Sequence, residues 1–441
     1  MLSPRRRMEV TMAHDIGVWL FDQPVGILSL VGGRLSFQYG HDWLAQPNAG
    51  ALSQSLPLGP DVFDDRQCRA FFAGLLPEGN LRQLIAQQCQ VSSQNDFALL
   101  SAIGGECAGA ITFVPEQPTA TAEQAGVEWL DEPQLMALLD ELPRRPMLAG
   151  RDGVRLSLAG AQDKLPVVFD GQSIGLPKGG QPSTHILKPA IASVEDSVFN
   201  EGFCLALAQA MGLLTAQAQI FVVQGREVLL VARYDRRVGV QGQPVRIHQE
   251  DFCQALCVVP EMKYQNEGGP DLKACFDLLR KATRPSAPQV LRLLDAVVFN
   301  ALIGNHDAHA KNFSLLYAYQ GKNAAPTLAP LYDMMCTAVY DHLTPKMAMK
   351  LGSKYKFTEV QARHWDQFAQ AAGLSKAQTK KRVLQIAQQL LAVARSIQAT
   401  PLFAGRPIID KRVQLMDQRT ALTIHRLTEG EPVTQVDDVE A

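Results

Sequence analysis

Asn305-His306-Asp307-Ala308-His309-Ala310-Lys311-Asn312 is the stretch on which the reading of this chain turns. Asp307 and Asn312 stand five residues apart, directly after an apolar segment from Ser286 to Gly304 that reads as a buried helix. Phosphoryl transfer asks little covalent chemistry of a protein and a great deal of positioning. It needs an aspartate to orient the acceptor hydroxyl and oxygen donors to hold magnesium, and Asp307 and Asn312 answer those needs. Lys311 is placed to neutralise a transferring phosphoryl group. Further along, Leu331-Tyr332-Asp333-Met334 supplies an isolated aspartate for the metal. His306 and His309 invite a metal reading, but short His-Asp clusters in loops more often bond backbone or orient a neighbouring carboxylate.

Working back towards the N-terminus, the remaining demands are met in order. Val154 to Leu158 alternates apolar and polar residues as a strand, with Ser157 near its end. Ala159-Gly160-Ala161-Gln162 turns the chain, Leu165 to Phe169 returns, and Asp170-Gly171 makes a hairpin turn. Gly175 to Ser183, rich in Gly and Pro, reads as a mobile loop. Thr184 to Lys188 is a strand with a terminal lysine. Ser193 and Asp196 are spaced as a capping box for a helix whose Phe199, Phe203, Leu207 and Met211 recur every four residues until Gly212. Glu201 lies on that helix, where it can hold Lys188. Ile220 to Val223 and Val228 to Val231 form a further hairpin through Gly225, and from Arg233 the chain is mainly helical. Helices are expected from Ser286 to Gly304, Glu359 to Ala372 and Lys376 to Ile397, with a polar, frayed tail from Thr428. A lone lysine at a strand end is ordinarily solvated, and Ser157 alone is merely a strand serine. The succession Lys188, Glu201, Asp307, Asn312, Asp333 is what chance does not supply.

The first segment has its own character. Val18 to Phe21, Val25 to Leu30 and Leu35 to Tyr39 are short strands, followed by helices broken at Pro77 and Gly79 and a closing strand at Ala110 to Val114. Pro115 to Gly126 reads as a linker. With 441 residues, 46% hydrophobic and 20% charged, the chain is an ordinary globular protein of two or three domains. Its formal charge of −2 rules out a global basic field for nucleic acid or membrane. No apolar stretch approaches the roughly 18 residues of a membrane span, and Arg5-Arg6-Arg7 is followed by no apolar signal core. Secretion is therefore not expected, and Met8 or Met12 is an alternative start. Cysteines at 68, 89, 107, 204, 253, 257, 275 and 336 include no CxxC. Cys253 and Cys257 read as a buried reduced pair at helical spacing rather than half a zinc site, in a reducing cytoplasm. Lys376, Lys380, Lys381 and Arg382 form a basic run that reads as a solvated helix face sooner than a phosphate contact. The expected fold is α+β: a strand-rich subdomain over 1–150, a kinase-like N-lobe over 151–232 and a helical C-lobe over 233–441.

Ser157-Leu158-Ala159-Gly160-Ala161-Gln162-Asp163-Lys164, Thr184 to Lys188, Asn200-Glu201, Arg233-Tyr234-Asp235-Arg236-Arg237, Gln249-Glu250-Asp251, Asp307 to Ser314 and Tyr332-Asp333 together resemble the HipA family. These are bacterial serine/threonine-protein kinase toxins of toxin–antitoxin modules. The resemblance covers essentially the whole chain, including Leu75-Leu76-Pro77-Glu78. It implies ATP- and magnesium-dependent phosphorylation of a protein hydroxyl in a bilobal kinase-like fold. Asp307 would be the catalytic base, with Asn312 and Asp333 on the metal. Ala159, Gly160, Ala161, Gln162, Asp163, Lys164, Lys188 and Glu201 would serve the phosphates, Ala232, Arg233 and Tyr234 the hinge near adenine, and His309, Lys311 and Tyr332 the rest of the nucleotide site. The resemblance further implies autophosphorylation at Ser157 and a small helix-turn-helix antitoxin, through which operator DNA is bound. It also implies an aminoacyl-tRNA synthetase as target, the glutamyl enzyme foremost. The phosphate turn departs from the glycine-rich G-x-G-x-x-G pattern in having one glycine, and position 232 is Ala where an acidic residue is expected. A small-molecule kinase of the aminoglycoside-phosphotransferase kind would share the Asp-x-x-x-x-Asn logic but lack the strand-rich extension. A non-catalytic corepressor would have no need for the full residue set.

Overall fold

A strand-rich subdomain opens the structure, a computed structural model that describes residues 14–115, 125–318 and 325–429. Strands β1 (His14–Leu20), β2 (Gln23–Val31), β3 (Arg34–Tyr39) and β4 (Ile111–Pro115) make an antiparallel sheet in the order β3-β2-β1-β4. Period-two burial of Ile16, Val18 and Leu20 on β1 turns one face inward. Between β3 and β4 lie α1 (His41–Ala45), α2 (Asp65–Phe72), α3 (Gly79–Gln88) and α4 (Asp96–Ile103). Asp64 starts α2 through a capping box with Gln67, and the chain breaks around Pro77 before α3. Most of the expected linker, residues 116–124, lies outside the described residues.

The second sheet has six strands: β5 (Gly126–Trp129), β6 (Leu165–Phe169), β7 (Ile174–Lys178), β8 (His185–Pro189), β9 (Ala218–Val223) and β10 (Arg226–Ala232), in the order β5-β7-β6-β8-β10-β9. Helix α5 (Glu132–Glu141) follows β5, and α6 (Ser197–Ala210) crosses from β8 to β9. Alternation on β10 makes this sheet a wall between two cores. Val228 and Leu230 pack with the N-terminal subdomain, and Leu229 and Val231 pack with α6 and the C-lobe. A cut at residue 150 therefore separates β5 from the other five strands of its own sheet. Three local expectations change. Val154 to Leu158 is extended but not a sheet strand; it threads between the subdomain and the sheet, with Ser157 N–H bonded to Glu106 C=O (2.9 Å). Gly175 to Lys178 belongs to β7, and the turn is confined to Gly179-Gly180, both at positive φ. Helix α6 has no capping box: Asp196 sits at φ 48° with no side-chain cap bond, while Ser197 Oγ accepts the Ile191 N–H (2.8 Å).

The C-lobe is built on α7 (Phe252–Ala255), α8 (Leu272–Ala282), α9 (Ser286–Ile303), α10 (Ala362–Ala371), α11 (Lys376–Gln398) and α12 (Pro407–Thr428). It also contains β11 (Arg236–Val238), β12 (Pro244–Arg246), β13 (His248–Asp251), β14 (Ser314–Tyr317) and β15 (Thr327–Leu328), each too short for its periodicity to register. Helix α9 does have the length and apolarity of a membrane span, contrary to the expectation from sequence, but 61% of it is buried inside the protein and it is the central C-lobe helix. Helix α12, not expected, buries Arg412 and Arg419 on its inner face among Ile408, Ile409, Val413, Met416 and Leu427, interrupting the apolar stripe. It stays helical to Thr428, so the start of the expected frayed tail is ordered; residues 430–441 lie outside the described residues. All eight cysteines are free. Cys257 lies beyond the end of α7 at φ 58° and is half-buried, so the expected helical pair with Cys253 does not form. Of the basic run, Arg382 is engaged by Asp295 (2.8 Å), while Lys376, Lys380 and Lys381 are exposed.

Candidate active site

Lys188 pairs across the ladder with Leu229, so it shares the α6 face of the sheet, whereas its neighbour Leu187 faces the other core. That register aims it at Glu201, in the second turn of α6. Its ammonium donates to Glu201 Oε1 (2.6 Å) and to Asp333 Oδ1 (2.9 Å), joining the two lobes through one cation. Lys188 and, to a smaller extent, Lys164 hold the Asp333 carboxyl well below the usual carboxylate range. Burial pushes Glu201 up despite Lys188. Against its own burial, Lys188 is held above the ordinary lysine value by Asp333 and Glu201. Asp333 takes a left-handed backbone (φ 54°), strain of the kind that concentrates at functional sites.

The turn at 159–162 lines the same cleft as this cation. Gly160 sits at φ 112°, a backbone conformation that residues with a Cβ rarely adopt, so a substitution there would be strained. Lys164 Nζ bonds the Ala159 carbonyl, and burial lowers its ammonium to about 8. The turn is not gripped by repeated glycines but tied from outside, by Glu78 N–H to the Gly160 carbonyl (3.0 Å). Ser157, expected at a strand end, is fully buried, and its hydroxyl donates to the Leu75 carbonyl (2.8 Å).

On the opposite wall, Asn312 Nδ2 donates to the Asp307 carbonyl (3.0 Å), which explains the five-residue spacing: the amide closes the loop onto the aspartate. Asp307 itself is exposed; its N–H bonds Asn305 Oδ1 (3.1 Å), and Tyr264 donates its hydroxyl to Oδ1 (2.7 Å). His309 is buried against the edge of Tyr264, and burial lowers its imidazole. His306 faces away, 2.8 Å from Arg419 of α12, and burial with that guanidinium brings it to about 4. Among the described residues no three His, Cys, Asp or Glu side chains converge as a metal cluster. Asn312 and Asp333 instead offer the hard oxygen donors that suit magnesium, with Asp333 held ionised.

Some expected residues take other roles. The ammonium of Lys311, expected to neutralise a phosphoryl group, is bonded to Asp251 Oδ2 (2.8 Å) and the Gly74 carbonyl (3.2 Å). At the expected hinge, the Arg233 guanidinium turns into a buried cluster with Asp235 (2.7 Å) and Glu106 (3.1 Å), away from the cleft that its residue lines. Arg236 and Arg246 join the same Glu106, and against its burial these three guanidinium groups hold that carboxyl far below its ordinary value. Tyr332 bridges the Lys311 carbonyl (2.8 Å) and Ser314 (2.7 Å), its ring 5.4 Å from that of Tyr234.

Most of the expected site residues line one cleft of about 440 Å³, within the range of small-molecule sites. It gathers Ala159, Gly160, Ala161, Gln162, Lys164, Lys188, Glu201, Ala232 to Tyr234, Asp307, His309, Lys311, Asn312, Tyr332 and Asp333. Ser157 and Asp163 are not on its lining; burial raises the Asp163 carboxyl. Glu78, Asp251, Lys263 and Tyr264 line it without having been singled out as site residues. For Glu78 and Asp251 the only signal was their place in the quoted motifs. Lys263 and Tyr264 have no spacing relation to the residues they meet.

Residues 156–395 match the family model described as HipA-like C-terminal domain, and residues 16–114 match that described as HipA N-terminal domain. "Putative kinase Y4mE" of Sinorhizobium fredii is 45% identical over 382 residues, 83% of this chain and 88% of that one. "Serine/threonine-protein kinase toxin HipA" of Shewanella oneidensis is 29% identical over 409 residues, 89% and 92% of the two chains. A solved structure of the Shewanella oneidensis HipA with HipB and operator DNA superposes with a TM-score of 0.79, covering 94% of this chain and 97% of that chain at 24% identity, a likeness of fold.

Proposed function

The chain belongs to the HipA family of serine/threonine-protein kinases, and on that premise we propose that it moves the γ-phosphoryl group of ATP to a hydroxyl of another protein as the toxin of a toxin–antitoxin pair. The observation that carries this reading is Lys188 bonded at once to Glu201 and Asp333. A cation held between an N-lobe helix and a C-lobe aspartate is what phosphate positioning requires. In this reading Lys188 and Lys164 neutralise the nucleotide phosphates, and the turn at 159–162 covers them. Asp307 orients the acceptor hydroxyl and takes its proton as the new oxygen–phosphorus bond forms and the bond to the β-phosphate oxygen breaks. Tyr264 holds the Asp307 carboxylate in line. Asn312 and Asp333 would hold magnesium, which supplies charge neutralisation of the phosphates when bound.

The family supports finer assignments, which we propose with it. Ser157 is the site of self-modification, and because its hydroxyl is buried against Leu75 the segment around it must leave its seat to be phosphorylated. The partner is a small helix-turn-helix antitoxin, by analogy with the HipB of the Shewanella complex, and operator DNA is reached through it. The target is an aminoacyl-tRNA synthetase of the glutamyl type, in the cytoplasm. The test is Asp307→Asn. Its exposed side chain makes the fold indifferent to the change, while an amide has no comparable basicity, so transfer from ATP should fall at least a hundredfold. Near wild-type transfer by a folded Asp307→Asn protein would remove the assignment.

A further inference from the structure

One five-residue segment of the N-terminal subdomain, Gly74 to Glu78, touches Ser157, the 159–162 turn and the C-lobe lysines. Its Leu75 carbonyl accepts the Ser157 hydroxyl (2.8 Å). Its Glu78 N–H donates to the Gly160 carbonyl (3.0 Å), with Pro77 bridged to Gly160 in strand fashion, so the phosphate turn is tied to it. On the C-lobe side, Lys311 donates to the Gly74 carbonyl (3.2 Å). The Glu78 carboxylate pairs with Lys263 (2.7 Å) and lies 3.7 Å from the Lys311 ammonium. Glu78 and Lys263 are each only 16% exposed, so this pair is shielded from water and salt as surface pairs are not. Against its burial, Lys311 and Lys263 hold the Glu78 carboxyl down, so it is ionised at neutral pH.

We propose that Glu78 is a positioning residue of the kinase site: its carboxylate anchors the 74–78 segment on the C-lobe lysines, and its backbone thereby holds the phosphate turn closed over the cleft. The consequence for ATP rests on the kinase reading; the latch is a property of the free protein. Because the same segment seats Ser157, loosening it has two effects of opposite benefit. ATP is held less well, and Ser157 is released more readily.

The test uses the full chain with Glu78→Gln, Lys263→Met and both together. Glu78→Gln keeps the shape and the backbone N–H while removing the charge. In nucleotide-free protein, amide hydrogen exchange over residues 157–162 should speed up at least tenfold in Glu78→Gln, with exchange in α9 unchanged. Affinity for a non-hydrolysable ATP analogue should fall about tenfold, and Lys263→Met should add little to Glu78→Gln, as expected for partners in one pair. Unchanged exchange at 157–162, or strictly additive losses in the double variant, would overturn the latch. Faster exchange in α9 as well would also overturn it, since the residue would then be a general stabiliser. Failure of the wild-type protein to transfer phosphate from ATP would remove the kinase reading instead, leaving the exchange result to decide the latch.

Discussion

Replacing Lys188 with methionine separates what the cation does for the fold from what it does for ATP. Its side chain is 9% exposed and that of Glu201 is 2% exposed, so the pair is buried, whereas Asp333 is 43% open to the cleft. Removing one partner of a buried pair costs roughly 3–5 kcal/mol, because the other charge is stranded. The Asp333 side is discounted for solvent, so the penalty comes from Glu201 and is expected near the lower bound, about 3 kcal/mol. Adding Glu201→Gln should recover most of it, since a neutral amide needs no counter-ion. Transfer should behave differently. Loss of a charge that stabilises the transferring group costs roughly 2.7–4 kcal/mol, a fall of about a hundredfold to a thousandfold, and the second substitution cannot restore it. Denaturant unfolding and initial rates against ATP concentration read the two effects separately. If the Lys188→Met protein unfolded at the wild-type denaturant concentration, the buried-pair argument would fail. If the double variant regained transfer, Lys188 would be structural and the site assignment mistaken.

Phosphorylation at Ser157 adds about −1.5 to −2 charges where the structure leaves no solvent and offers a carbonyl, itself an acceptor, as partner. The segment should be expelled and ATP affinity fall tenfold or more, about 1.4 kcal/mol; equal affinity of protein phosphorylated at Ser157 and of unphosphorylated Asp307→Asn protein would sink the switch. Glu250 provides a pH test of how the N-terminal subdomain seats on the C-lobe. Its carboxyl, bonded by Ser53, Tyr317 and the Gln54 N–H, is raised by burial from 4.5 to about 7. The folded state therefore keeps a proton that the unfolded chain has lost, so this contribution is complete below about pH 4.5 and is lost as pH rises through 7, on the order of 3 kcal/mol in all. Glu250→Gln should flatten the decline of stability from pH 5 to 8, and an undiminished slope in that variant would contradict the assignment.

Much of the site was legible because its members act through local geometry. Asp307 and Asn312 are close in the chain, and the amide closes the loop that carries both. Lys188 and Glu201 lie on a strand and the helix that follows it, so strand register and one connection bring them together. The order of those elements was enough to anticipate a bilobal kinase-like fold.

What the chain order could not disclose is where each charge finds its partner. Arg233 and Arg236 were read within one local motif, but the carboxylate they share with Arg246 is Glu106, in the N-terminal part of the chain. Lys311 looked free to meet a phosphoryl group until Asp251 and Gly74 were seen to occupy it. Helix α12 went unread because two of its inward positions are arginines, one reaching Tyr340 and the other His306. Ser157 alternates with apolar neighbours as a half-exposed strand would, yet the subdomain packs over it and supplies the Leu75 carbonyl. Periodicity reports which side of a local element is apolar and says nothing of what will cover the other side. A buried charge or hydroxyl must find its complement wherever the tertiary packing brings one, and sequence separation sets no limit on that.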